Sequence, residues 1–124
     1  MISLREVYFN DVQHWFWDFQ KHSKCFELPP EEAEYLGIFK DDRLVGYFVV
    51  VTYADYLEIN QGYLIKEVRH TDLPKECLRL LEYLAKRVGI QEIKLGTHNR
   101  FKSYLNFMKD NGYRPEHLVF SKRI

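Results

Sequence analysis

The side chains with the most chemistry to offer in this chain are five histidines, two cysteines and a spread of carboxylates and tyrosines. His14, His22, His70, His98 and His117 stand at neither of the spacings, HxH or HxxxH, that bring two imidazoles to one metal, and no pair of them joins a cysteine at zinc spacing. No metal is expected. Cys25 and Cys77 lie in unrelated contexts with no CxxC, which suits a reducing compartment better than a disulfide framework. Cys77 would gain nucleophilicity near a helix start, but it falls on an apolar stripe, where packing is its expected role. Thr97-His98-Asn99-Arg100 sits between a predicted strand and a predicted helix, a usual place for a functional loop. Thr97 or Asn99 suits the cap of that helix, whereas His98 has no such duty.

The elements that must position these groups follow from composition and period. The chain has 124 residues, 46% hydrophobic and 16% aromatic, which is enough apolar surface for one ordered domain and excludes a disordered chain. Eighteen basic residues balance eighteen acidic ones, so no long-range field draws the chain to nucleic acid or an anionic membrane. Leu44 to Tyr53, the longest uncharged apolar run, is far short of a bilayer span, and the first residues lack a signal-peptide pattern. A cytoplasmic protein is expected.

Residues 2 to 8 read as a short strand, and Asn10 or Asp11 suits the cap of a helix with the stripe Val12, Trp15, Phe16 and Phe19. Trp17 falls off that stripe, either as a surface for a partner or beneath the loop from Cys25 to Pro30. Tyr35 to Phe39, the turn Lys40 to Arg43, and Leu44 to Tyr53 form a hairpin. Leu57, Ile59, Tyr63 and Ile65 alternate with Glu58, Asn60, Gly62 and Lys66 as a half-buried strand, with Gly62 as a candidate bulge. From Asp72 the period changes to a helix striped by Cys77, Leu81, Leu84, Ala85 and Val88 and closed by Gly89. Ile90 to Leu95 is a strand. Phe101, Tyr104, Leu105 and Met108 stripe a helix that ends at Asn111-Gly112, and Leu118 to Phe120 is the last strand.

Three stretches go further: Leu80-Leu81 and Gly89 on the helix after the central strand, Ile93-Lys94-Leu95 on the next, and Asn99 followed by a helix ending Asn111-Gly112-Tyr113. With the element order, they resemble the GNAT superfamily of acyl-CoA N-acyltransferases, in looser form from Tyr35 to the final strand. The resemblance implies a single α/β domain over residues 1–124, with a mixed, mostly antiparallel sheet and helices on both faces. It also implies acetyl-CoA as the acyl donor, its pantetheine arm entering where the central strand splays from its neighbour. The family's glycine-rich phosphate loop corresponds here to Asp72-Leu73-Pro74-Lys75-Glu76-Cys77, which contains no glycine. Pro74 has no N–H to offer, and Asp72 and Glu76 put negative charge at the helix start. Arg69, His70 and Lys75, with Asn99, are then the residues left to hold the donor. Gly at Leu73 and Lys75, with Arg at Asp72, is expected to restore the loop at a cost of at most about 1 kcal/mol per glycine.

By the same resemblance, Glu67 or Glu58 beside the central strand is the candidate base, with Glu67 preferred for its place near the strand's end. The family's usual acid, a tyrosine on the last helix, falls at Met108, leaving Tyr104 one turn earlier. Two functions follow. One is a small N-acetyltransferase passing an acetyl group from acetyl-CoA to an amine. The other is a non-catalytic module that keeps the scaffold and binds a protein partner, similar to bacteriophage members with virion or host-interaction roles. The sequence leaves the acceptor and the oligomeric state open.

Overall fold

The computed structural model describes residues 1–23, 29–95, 102–116 and 119–124. Strand β1 (Ile2–Val7) leads into helix α1 (Phe9–Ser23), followed by strands β2 (Glu34–Lys40), β3 (Arg43–Thr52) and β4 (Leu57–Leu64). After a 3-10 turn, Lys66–Val68, come α2 (Leu73–Arg87), β5 (Glu92–Leu95), α3 (Lys102–Asp110), β6 (Arg114–Glu116) and β7 (Val119–Arg123). The strands form one sheet in the order β1-β2-β3-β4-β5-β7-β6, antiparallel except for β4 against β5. The expected last strand is therefore a hairpin of two. Leu118 lies outside the described residues. No described helix is long and apolar enough to cross a membrane.

Local chemistry explains the boundaries. The hairpin between β2 and β3 turns on Asp41 and Asp42, both at positive φ (50° and 67°), the conformation a two-residue turn needs to match strand twist. Helix α1 starts before the expected caps. Asp11 lies in its first turn and reaches back, its Oδ2 accepting the Tyr8 N–H at 2.9 Å. Helices α2 and α3 end alike. Gly89 (φ +92°) and Gly112 (φ +93°) let the chain fold back, so that Ile90 N–H donates to Ala85 C=O and Tyr113 N–H to Met108 C=O, each at 3.0 Å.

Each sheet face has its own core. On one, α1 packs Val12 and Phe16 against Tyr47 and Val49, with Trp15, Tyr35 and Tyr63 around them. On the other, Leu73, Cys77, Leu78, Leu81 and Ala85 of α2 cover Ile38, Phe48, Val50, Leu57, Ile59, Ile93 and Leu95. Met108 and Tyr113 close this second core at the end of α3. Val88, expected on the α2 stripe, is instead the C-cap and 75% exposed, because the helix ends before its turn reaches the sheet.

The β4 alternation also differs from expectation. The bulge is at Asn60, not Gly62: Val49 pairs with Gln61 and Val50 with Ile59, leaving Asn60 without a partner on β3. Gly62 keeps its place opposite Phe48, whose ring atoms would meet a glycine-62 Cβ at 3.4–3.5 Å. The extra residue changes which face each side chain takes. Ile59 points to the α2 core, while Tyr63 points to the α1 core.

Candidate active site

The site is built where two parallel strands part. Among the described residues, β4 and β5 pair over three positions, Leu57 with Ile93, Glu58 with Lys94 and Ile59 with Leu95. β5 is described to Leu95, while β4 runs on through Asn60 to Leu64, paired with β3 on one edge and with no described strand on the other. The bulge lies at this fork. Ile65 N–H donates to Val45 C=O at 2.9 Å, so ladder alternation turns the N–H and C=O of Leu64 and Gly62 away from β3, toward the opening.

Around the fork the two cores contribute different chemistry. Glu58 pairs with Val51 and Gln61 with Val49, which places both polar residues on the α1 face beside Tyr47 and Tyr63. Glu58 is half-buried and its Oε1 accepts from Asn60 Nδ2 at 3.4 Å. Gln61 is buried and donates through Nε2 to Tyr47 Oη at 2.7 Å. Desolvation raises the Tyr47 phenol well above its ordinary value, so this oxygen stays protonated. Tyr53 and Tyr56 stack at 4.7 Å next to Glu58, and Lys94 Nζ lies 4.5 Å from the Tyr56 ring centroid. Desolvation first, then the Glu58 carboxylate, holds the Tyr53 phenol above its usual value.

The structure separates the two carboxylates singled out in the sequence. Glu58 is at the fork, whereas Glu67 is exposed in the turn after β4, with Arg43 Nη2 at 3.7 Å from its Oε2. Tyr104 lies on α3, and Met108, where the acid of the resemblance would fall, is buried. Asn99 and His98 lie outside the described residues, as do Cys25 and His117. Burial, with a smaller push from the Glu76 carboxylate, raises the Cys77 thiol to about 12, which fits packing and not nucleophilic attack. Among the described residues no three His, Cys, Asp or Glu side chains converge on a metal position.

The loop before α2 differs from expectation in two ways. Asp72 occupies the cap position but makes no side-chain cap; Thr71 takes that role, its Oγ1 accepting the Leu73 N–H at 3.2 Å and donating to Val68 C=O at 2.7 Å. Leu73 is part of the second core. Replacing it with glycine would therefore empty a core position instead of costing about 1 kcal/mol in helix propensity. Arg69 donates through Nε to Leu64 C=O at 2.6 Å, its guanidinium 5.2 Å above the Tyr63 ring. His70 and Lys75 are exposed.

A buried network went unread in the sequence. Lys122 Nζ contacts both Glu82 oxygens at 3.1 Å and donates to Asn111 C=O at 2.9 Å, while Tyr113 Oη donates to Glu82 Oε2 at 2.9 Å. The acidic residue at position 82, interrupting an apolar helix face, was its one sequence signal.

The fold matches that of solved structures over nearly the whole chain. The PaiA N-acetyltransferase of Thermoplasma acidophilum, in complex with coenzyme A, superposes with TM-score 0.74 over 100% of this chain and 99% of its own, at 18% identity. A GNAT-family acetyltransferase from Staphylococcus aureus gives 0.75 over 99% of both chains at 15% identity. The chain has the GNAT fold. A GNAT acetyltransferase from Elizabethkingia anophelis, with acetyl-CoA bound, aligns at 0.70 over 99% of this chain and 98% of its own, at 11% identity. In sequence, the spermidine N(1)-acetyltransferase of Thermoplasma acidophilum is 30% identical over 82 residues, 66% of this chain. That match spans about half of the relative's length, 51%. No family model matches the chain. Among the described residues, the short β4–β5 pairing lies where the sequence resemblance implies that the central strand splays.

Proposed function

We propose that this chain is an N-acetyltransferase that moves an acetyl group from acetyl-CoA to a primary amine. The observation that carries the reading is the fork itself: a parallel pair of three positions among the described residues, beyond which the β4 edge meets no described strand, beside a half-buried carboxylate. Two solved structures of the same fold, named above, hold CoA or acetyl-CoA. The fork suits the extended, amide-bearing pantetheine arm. Gly62 and Leu64 turn main-chain groups outward, and an extended ligand can add to such an edge as a strand would.

When bound, acetyl-CoA supplies the activated acyl group. The chain's own residues have three tasks. Glu58 accepts the proton that the acceptor ammonium must lose before its nitrogen can attack, directly or through one water. Asn60 holds the carboxylate from one side by its 3.4 Å hydrogen bond. Tyr104, on α3, is the candidate to protonate the departing thiolate. Arg69, His70 and Lys75 are the cations near the phosphate end, and Asn99 belongs to the loop after β5.

Isothermal titration with acetyl-CoA, followed by release of free thiol with a panel of amines, tests the reading. Spermidine is the first acceptor to try, because the relative matched in sequence is named for it. Saturable binding with amine-dependent thiol release is the expected result. A chain that neither binds acetyl-CoA nor releases thiol is not this enzyme, and the binding-module reading then replaces it.

A further inference from the structure

The fork and the loop before α2 are prepared unequally for a thioester donor. At the fork, the main-chain groups of Gly62 and the N–H of Leu64 face away from β3, where an extended ligand can meet them, while the Leu64 carbonyl is taken by Arg69. Where a nucleotide's phosphates would meet α2, four features oppose an anion. Leu73 stands where close backbone approach would need glycine, and its side chain is core, 4% exposed. Its N–H is already taken by Thr71 Oγ1. Pro74 has no N–H. Asp72 and Glu76 place exposed carboxylates at the positive end of the helix. Among the cations, Arg69 is held by the Leu64 carbonyl and the Tyr63 ring. His70 and Lys75 remain, both exposed, where ion contacts contribute little.

We propose that this chain recognises its acyl donor by the pantetheine arm and is nearly indifferent to the nucleotide beyond it. The inference rests on the acetyltransferase reading and names the donor class: acyl-pantetheine thioesters, with the arm carried by CoA or by a phosphopantetheinylated carrier protein. Attack of the amine nitrogen forms the amide bond and breaks the carbon–sulfur bond. The thiol leaves with one proton, and the ammonium's other proton passes to the base. The balance is the same for every carrier of the arm.

The test compares acetyl-CoA with S-acetyl-pantetheine as donors to one amine, alongside calorimetric binding of CoA and pantetheine. The kcat/KM values and affinities of the two should agree within about tenfold, and adenosine 3′,5′-bisphosphate should not displace CoA. Acetyl-CoA preferred by more than about a hundredfold, with displacement by the bisphosphate, overturns the inference and leaves the acetyltransferase reading standing. Failure of both thioesters to bind overturns both. An acetylated carrier protein used at least as well as free S-acetyl-pantetheine assigns the arm's source to a carrier. Poor use of that carrier beside good use of acetyl-CoA assigns it to CoA, and either result supports recognition of the arm. Asp72→Arg, at an exposed position, should leave pantetheine affinity unchanged without lowering that of CoA. A drop in CoA affinity would make Asp72 part of a working phosphate site and overturn the inference.

Discussion

Lys122 Nζ sits 3.1 Å from both carboxylate oxygens of Glu82, joining the last strand to the middle of α2 where neither side chain is more than 20% exposed. The same ammonium holds the Asn111 carbonyl at the end of α3, so one charge fixes three elements. Lys122→Ala strands the carboxylate in a largely dry site and should cost about 3–5 kcal/mol, read as a lower urea midpoint. Glu82→Leu combined with Lys122→Leu should recover most of that loss, because no charge is then left buried alone.

Leu73→Ala should cost about 2–5 kcal/mol, the range for emptying a buried leucine site. Lys75→Ala, two residues further on and exposed, should move the thermal midpoint little. Equal effects from the two in calorimetric melts would mean that Leu73 is a loop residue after all.

Glu58→Gln should lower kcat/KM by about 10²–10⁴-fold, the usual contribution of a positioned base, with the melting temperature unchanged. Glu67→Gln should leave both alone, since its carboxylate meets only Arg43 across an exposed 3.7 Å gap. Steady-state rates for the pair, with melts as the control, decide between the two carboxylates.

Cys77 has a definite pH signature. Burial raises its thiol from an ordinary value near 9 to about 12, so the folded chain holds this proton over a range where the unfolded chain releases it. Through this group stability is fully present below about pH 9 and declines as the pH rises toward 12. Cys77→Ser melts compared with wild type between pH 8 and 11 should show the wild type losing more stability at the alkaline end. Alkylation of native Cys77 at neutral pH should be slow and limited by opening of the fold.

What could be read in advance followed the logic of period and punctuation. The apolar spacing of α2 from Cys77 to Ala85 and its stop at Gly89 were legible because a helix repeats its signal over several turns. The turn at Lys40 to Arg43 was legible because four charged residues separate the apolar run Tyr35 to Phe39 from the β-branched run after Leu44. The bulge was not, since nothing in Ile59-Asn60-Gln61 marks an extra residue; only pairing with Val49 and Val50 reveals it. Thr71 as the cap was hidden by the equally suitable Asp72 beside it. Glu82 with Lys122 was hidden for a different reason. The partners are 40 residues apart, and no local pattern records a contact of that range.

The single unpaired residue Asn60 also acts as a parity switch. Side chains on a strand count in twos, so the odd-numbered residues of β4 face the α2 core before it, as Leu57 and Ile59 do, and the α1 core after it, as Tyr63 does. One short strand thereby serves both layers of the protein, and the change of phase coincides with the fork. Removing Asn60 would make Ile59 and Gln61 consecutive partners of Val50 and Val49, closing the register irregularity beside the fork while Ile59 stays on the α2 face and Tyr63 on the α1 face. Single-residue deletions in the turn of residues 53–56 leave the phase of β4 intact. The extra residue thus sets the irregularity of the ladder at the fork, while the two-layer facing of β4 depends on how Ile59 and Gln61 meet Val50 and Val49.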